Sequence, residues 1–145
     1  NDKSIGANAV GWLIDDKKNG IWVGTLGGGL NLFNPTTKNF TRFIHDPADP
    51  ASISHDRVLQ LFQENDHTLW LGTWGGGLNK LDTRTKKFTR FRHEPDNKNS
   101  LSGDSVWGIH KDKQGVFWIG TQYNGLNKFS FISLPVITGN RKTCQ

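Results

Sequence analysis

A chain of 145 residues with 18 basic and 13 acidic side chains, net charge +5, is about one domain's length of polypeptide, and its charges are interspersed. Its one cysteine, Cys144, excludes an internal disulfide or a cysteine-built zinc site. No apolar run reaches the roughly 20 residues that cross a bilayer as a helix.

The chain repeats itself with a step of 48 residues. Trp22-Val23-Gly24-Thr25, Trp70-Leu71-Gly72-Thr73 and Trp118-Ile119-Gly120-Thr121 each run into Gly-Leu-Asn, at Gly29, Gly77 and Gly125. Ser4, Ser52 and Ser100 keep the step, as do Val10, Val58 and Val106. A fixed period of this size signals one supersecondary unit stacked on copies of itself. Three units fill the chain: 1–48, 49–96 and 97–138, with a divergent tail at 139–145. Asn1 falls inside the repeat phase, so the chain reads as a piece of a longer one.

In the first unit an apolar run holding Val10 and Leu13 leads to a turn at 15–20. The Trp22 signature, Gly27-Gly28-Gly29, a turn at 34–39 and the pair Phe40/Phe43 follow. After a crossover at 45–55 the second unit shows the pattern most clearly. Val58 to Gln63 is a short apolar run of strand length, and Glu64-Asn65-Asp66-His67 is turn chemistry. Leu69 to Thr73 is a second strand, broken by Gly75-Gly76-Gly77. Leu78 to Leu81 alternates as a third, and Phe88 to Phe91 follows a turn as the fourth. A second crossover, 93–104, leads to the third unit, where Tyr123-Asn124-Gly125 replaces the glycine triplet. Val136 and Gly139 stand in phase with Phe40 and Phe43.

Four short strands per unit with tight turns predict an all-β fold of three four-stranded antiparallel propeller blades, an incomplete propeller. The structural signature is then Trp22, Trp70 and Trp118, whose large apolar area needs an indole partner, with Gly24, Gly72 and Gly120. Glycine inside a strand points to close approach of another backbone. The Phe pairs lie at i, i+3, on opposite faces of a strand, so one of each pair is expected outside the blade core. Antiparallel connection places the short hairpins on one face, and the glycine loops and long crossovers on the other. Long loops gathered on one face are the pointer to a binding surface.

On that face Trp74, Tyr123, Asn124, His55 and Asp104 are candidate ligand-binding residues, because aromatic rings stack on sugars and these positions differ between copies. Trp107 and Trp12 are read as core or channel lining, and the basic stretch Arg84, Lys86, Lys87, Arg90, Arg92 as a solvated outer strand and turn. His45 and His93 share one phase and are read as loop-structural. No histidine pair has metal-ligand spacing, so no metal is expected. Asp56, Glu64, Asp104 and Asp112 are repeat turn or loop positions, so no catalytic residue is assigned. The glycine triplets lack the lysine and helix of a phosphate loop, so no cofactor is expected. The 18 basic residues are interspersed with 13 acidic ones, so no nucleic-acid partner is expected either.

Ser100-Leu101-Ser102, Val106 to Ile109, Asp112-Lys113-Gln114-Gly115, Phe117 to Thr121 and Gly125-Leu126, with their counterparts 48 and 96 residues earlier, resemble the two-component regulator propeller repeat. The resemblance implies the periplasmic sensor region of a hybrid two-component system. Such a parent is anchored in a bacterial inner membrane, recognises oligosaccharides and signals to a histidine kinase in a phosphorelay. The repeats themselves would be non-catalytic. Partners would be an oligosaccharide and either the remaining blades of a parent chain or other copies joined through open blade edges. A free-standing, lectin-like carbohydrate-binding propeller assembled by oligomerisation is the alternative. A propeller lyase or hydrolase is the third.

Overall fold

The computed structural model describes residues 3–130, and all their regular structure is β-strand. The first antiparallel sheet runs β1 (Val10–Asp16), β2 (Gly20–Thr25), β3 (Leu30–Asn34), β4 (Asn39–Phe43) in that order. The second runs β5 (Val58–Asn65), β6 (Thr68–Thr73), β7 (Leu78–Asp82), β8 (Lys87–Phe91). The third shows β9 (Val106–Lys111), β10 (Phe117–Thr121) and β11 (Leu126–Phe129). The expected fourth strand of that unit, with Val136 and Gly139, lies outside the described residues, as do Cys144 and the tail at 139–145.

The register repeats with the sequence. Leu13 pairs with Val23, Leu61 with Leu71 and Ile109 with Ile119. Each first strand opens with a register shift that leaves one residue unpaired: Gly11, Leu59 and Trp107. A bulge of this kind re-aims a side chain away from the regular pleat. The first strands β1, β5 and β9 are neighbours in space, so the sheets stack side by side around them.

Each sheet uses its two faces differently. Trp22 and Leu30, with Phe43, pack from the first sheet onto Ile53, Val58, Leu61, Leu69, Leu71, Leu81 and Phe88 of the second unit. Trp70, Leu78, Phe62 and Phe91 pack from the second onto Leu101, Val106, Ile109, Phe117, Ile119 and Phe129 of the third. The Phe pair is therefore split between two interfaces. Phe88 belongs to the interface behind its sheet, where its ring lies 6.2 Å from that of Phe43. Phe91 belongs to the interface ahead, 5.8 Å from the Trp70 ring.

The strand glycines serve the same stacking. A Cβ at Gly24 would meet the Val58 side chain at 2.7 Å, and one at Gly72 the Val106 carbonyl at 2.5 Å. At Gly120 the nearest described atoms are 3.8 Å away. Among the described residues, the face of the first sheet that carries Leu13 lies open. Leu13 is 60% exposed there, whereas Leu61, its counterpart one unit on, is 2% exposed beneath the first sheet. Ile5, Val10, Ile21, Phe33 and Phe40 share that open apolar surface with Leu13.

Candidate functional site

The glycine loops and crossovers interlock. Gly27 and Gly29 both donate N–H bonds to the Asp56 carbonyl, at 3.0 and 2.8 Å. Gly75 and Gly77 do the same to the Asp104 carbonyl, at 3.1 and 2.7 Å. Two donors converge on one acceptor because the chain is left-handed at both glycines, with φ of 117° and 70°, then 92° and 81°. Thr25, Thr73 and Thr121 close the same loops, donating to Gly29, Gly77 and Gly125 and accepting from the N–H of Gly28, Gly76 and Asn124. The asparagines of Gly-Leu-Asn tie β3, β7 and β11 to the crossovers: Asn31, Asn79 and Asn127 accept from the N–H of Gly6, Ser54 and Ser102, each at 3.0 Å. These bonds account for the repeated polar residues of the signature without a ligand.

The crossovers are clamped in the same manner. Asp56 Oδ1 accepts from the His45 N–H and Asp104 Oδ1 from the His93 N–H, both at 2.7 Å. His45 Nδ1 lies 2.8 Å from the Ile53 carbonyl and His93 Nδ1 2.6 Å from that of Leu101. Part of the basic stretch departs from the expectation of a solvated strand. Arg90 is half-buried and donates to the Ser52 carbonyl at 3.0 Å and the Ser52 hydroxyl at 2.9 Å. It holds its own outer strand to the crossover that entered its unit, as Arg42 does with Ser4. Arg92 donates to the Gly75 carbonyl at 3.2 Å.

Acid–tryptophan pairs occupy the opposite, hairpin end. The indole N–H of Trp22 donates to Asp16, that of Trp70 to Glu64 and that of Trp118 to Asp112, each at 2.9 Å. Lys111 of the third unit also reaches Glu64, at 2.9 Å, so this carboxylate joins two sheets. Burial pushes Glu64 up, but the Trp70 and Lys111 hydrogen bonds and the nearby lysine charges outweigh it and hold the carboxyl below its usual value. Burial likewise raises Asp16, and donors from Asn19, Trp22, Lys18 and Gln63 overcome it. Asp112 is lowered chiefly by Trp118. Depressed carboxyls stabilise the fold above the ordinary carboxylate range and lose that contribution as pH falls through the folded values. Acid unfolding followed by circular dichroism is therefore expected to set in below about pH 4.5, the ordinary glutamate value. Glu64→Gln should flatten that dependence and cost about 1–2 kcal/mol at neutral pH.

The predicted site residues fall on the loop face in two groups. His55 and Asn124 fill one kind of space in successive units. A Cβ at Gly76 would meet the His55 Cβ at 2.8 Å, and one at Gly103, the counterpart of His55, would press into the Asn124 side chain. Each bulky residue is accommodated because its neighbour is glycine. His55 Nδ1 accepts the Arg57 N–H at 3.0 Å, and burial, against the pull of Asp56, lowers its pKa from the ordinary 6.5. Tyr123 is 84% exposed, its hydroxyl 3.1 Å from the Gln122 amide.

Trp74 forms the second group with two residues outside the candidate set. Its ring lies 5.8 Å from that of Trp107, and the Arg57 guanidinium sits 5.9 Å from its centroid. Trp107, read from sequence as core or channel lining, is not in the core but half-exposed at the bulge that opens β9. The signal was there: positions 57 and 107 differ between the copies as position 74 does. Among the described residues no group of His, Cys, Asp or Glu could hold a metal ion. No helix there is long and apolar enough to cross a membrane.

Residues 100–123 match the family model of the two component regulator propeller. The chain is similar to the extracellular domain of BT3049 from B. thetaiotaomicron, described as a hybrid two component system: 27% identity, TM-score 0.78, over 88% of this chain and 18% of that one. It is also similar to the extracellular domain of BT4673 from B. thetaiotaomicron, with 21% identity and TM-score 0.73 over 92% of this chain and 18% of that one; this likeness speaks for the fold. The chain thus spans about a fifth of the length of these solved structures. No curated protein matches it. The third unit carries the matched repeat, and the first two reproduce its register and hydrogen bonds at the same 48-residue step, so the chain is similar to two-component regulator propeller repeats along its described length.

Proposed function

We propose that the chain is a ligand-recognising part of the sensor propeller of a two-component receptor, exposed on the extracytoplasmic side of a bacterial inner membrane, and that it performs no reaction. The observation that carries this reading is the matched repeat at 100–123 within a fold that superposes over 88% of its length on an extracellular domain of that receptor class. The ligand class is oligosaccharides, for which the half-exposed rings of Trp74 and Trp107 offer stacking surfaces. Remaining blades of a parent chain would cover the open face around Leu13. The parent would signal to its kinase by population shift, the ligand favouring one arrangement of the ectodomains. Driving such an equilibrium fully takes about 5 kcal/mol of differential binding.

The same open face favours a second reading, in which copies of the chain close a ring as a lectin-like assembly, since uncovered apolar surface drives association. Size-exclusion chromatography with light scattering separates the two. A monomer or polydisperse species is expected for a segment of a longer receptor; a discrete dimer that binds saccharides overturns that expectation. Steady turnover of any polysaccharide by the chain would sink both.

A further inference from the structure

Three sets of positions along the inner rim of the loop face share one backbone frame and differ in side chain. The N–H groups of Leu26, Trp74 and Gln122 donate to the carbonyls of Ala9, Arg57 and Ser105, at 2.8, 3.0 and 2.9 Å. The frame is thus the same whether it carries alanine, arginine or serine, and whether it carries leucine, tryptophan or glutamine. At the bulge behind it stand Gly11, Leu59 and Trp107. The fold does not need the large residues, because it forms the same bonds without them.

Yet the large residues come together at one place, the junction of the second and third units. Trp74 and Trp107 meet at 5.8 Å with their planes inclined by 55°, and they are 39% and 47% exposed. Arg57 lies against the Trp74 ring at 5.9 Å, an arrangement that orients a guanidinium while leaving its donors available. Among the described residues Arg57 enters no ion pair. Its neighbour Asp56 is engaged, with Oδ1 taken by the His45 N–H and its carbonyl by Gly27 and Gly29. A second cation, Arg92, sits at the Gly75 carbonyl beside Trp74.

Indole faces take the C–H face of a sugar ring, and a guanidinium fork takes a carboxylate through two parallel hydrogen bonds. The geometry points to a subsite for an acidic sugar, a uronic acid residue of an oligosaccharide, with its ring against Trp74 and Trp107 and its carboxylate on Arg57. This assignment rests on the ligand-recognition reading above and narrows it to a ligand class.

The test is calorimetric titration of the 145-residue chain with oligosaccharides of galacturonate, glucuronate and mannuronate, each beside its carboxyl-reduced neutral counterpart. At least one uronate should bind, and its neutral counterpart about ten- to a hundredfold more weakly. Arg57→Ala and Trp74→Leu install the residues that the first unit carries at these positions, so the fold should survive, with an unchanged melting temperature as the check. Arg57→Ala should bring the acidic sugar down to its neutral counterpart, and Trp74→Leu should weaken both. If the neutral sugars bind as tightly as the acids, or Arg57→Ala changes nothing, the acidic-sugar subsite is wrong and saccharide recognition stands. If no saccharide of either kind binds, the subsite and the reading beneath it fall together.

Discussion

Trp70→Ala is expected to destabilise the chain by about 3–5 kcal/mol in urea denaturation, the range for emptying a large buried aromatic site. Trp70 is 1% exposed and sits in the interface between the second and third units. Its ring lies 5.0 Å from Phe117 of the third unit and 5.8 Å from Phe91 of its own. Its indole N–H holds Glu64, which also takes Lys111 across the junction. Trp70→Phe keeps most of the area and removes the donor, so it should cost far less, about 1 kcal/mol plus what the smaller ring leaves unfilled. Trp118 occupies the same repeat position but is only half-buried among the described residues. Trp118→Ala is therefore expected to cost less than half as much as Trp70→Ala. Equal losses at the two positions would show that the tryptophans act within their own sheets and not between sheets.

Gly72→Ala is expected to cost about 1–3 kcal/mol, because the new methyl must push the third sheet away. The obstacle is backbone, the Val106 carbonyl at 2.5 Å, with the Val106 side chain at 2.9 Å. Neither can move without shifting β9 on its sheet. Gly120→Ala is the matched control: its Cβ meets nothing described closer than 3.8 Å. In the 145-residue chain that variant should unfold within about 0.5 kcal/mol of wild type. In a longer chain whose next unit packs as the third packs on the second, it should become as costly as Gly72→Ala. Equal tolerance at both positions in the 145-residue chain would dispose of the inter-sheet explanation.

Much of the fold was legible because a repeat states its own boundaries. The 48-residue step located the strands, the hairpins and the two faces of loops, and the structure places β5 to β8 within two residues of the runs read from Val58, Leu69, Leu78 and Phe88. The expectation that one of each Phe pair lies outside the core was wrong, because Phe88 and Phe91 both pack between sheets. That the two face opposite ways read correctly. Which interface each Phe serves did not, since that depends on which sheet lies in front and which behind. Arg90 was misread as solvated. Its partner Ser52 is 38 residues away, and proximity of an outer strand to a crossover is a property of packing.

The candidate site was legible only in part. Trp74 stood out because it is an aromatic on the loop face where the first unit has Leu26. Trp107 did not, because an exposed and a buried position on an inner strand look alike until a bulge turns one of them outward. Arg57 carried no signal beyond differing from Ala9 and Ser105. The exchange of His55 and Gly76 for Gly103 and Asn124 is a volume trade, visible only when two loops are seen to share one space.

The sequence by itself determined the unit: its length, its four-strand pattern, its turns and the polar residues that close them, because these are short-range consequences of chain chemistry repeated in phase. The tertiary structure alone decided what stands beside what. The pairing of Glu64 with Lys111, the pressure of Val106 on Gly72 and the meeting of Arg57, Trp74 and Trp107 all cross between units. Such contacts depend on how one sheet twists against the next, a rotation that the side chains of both sheets set together.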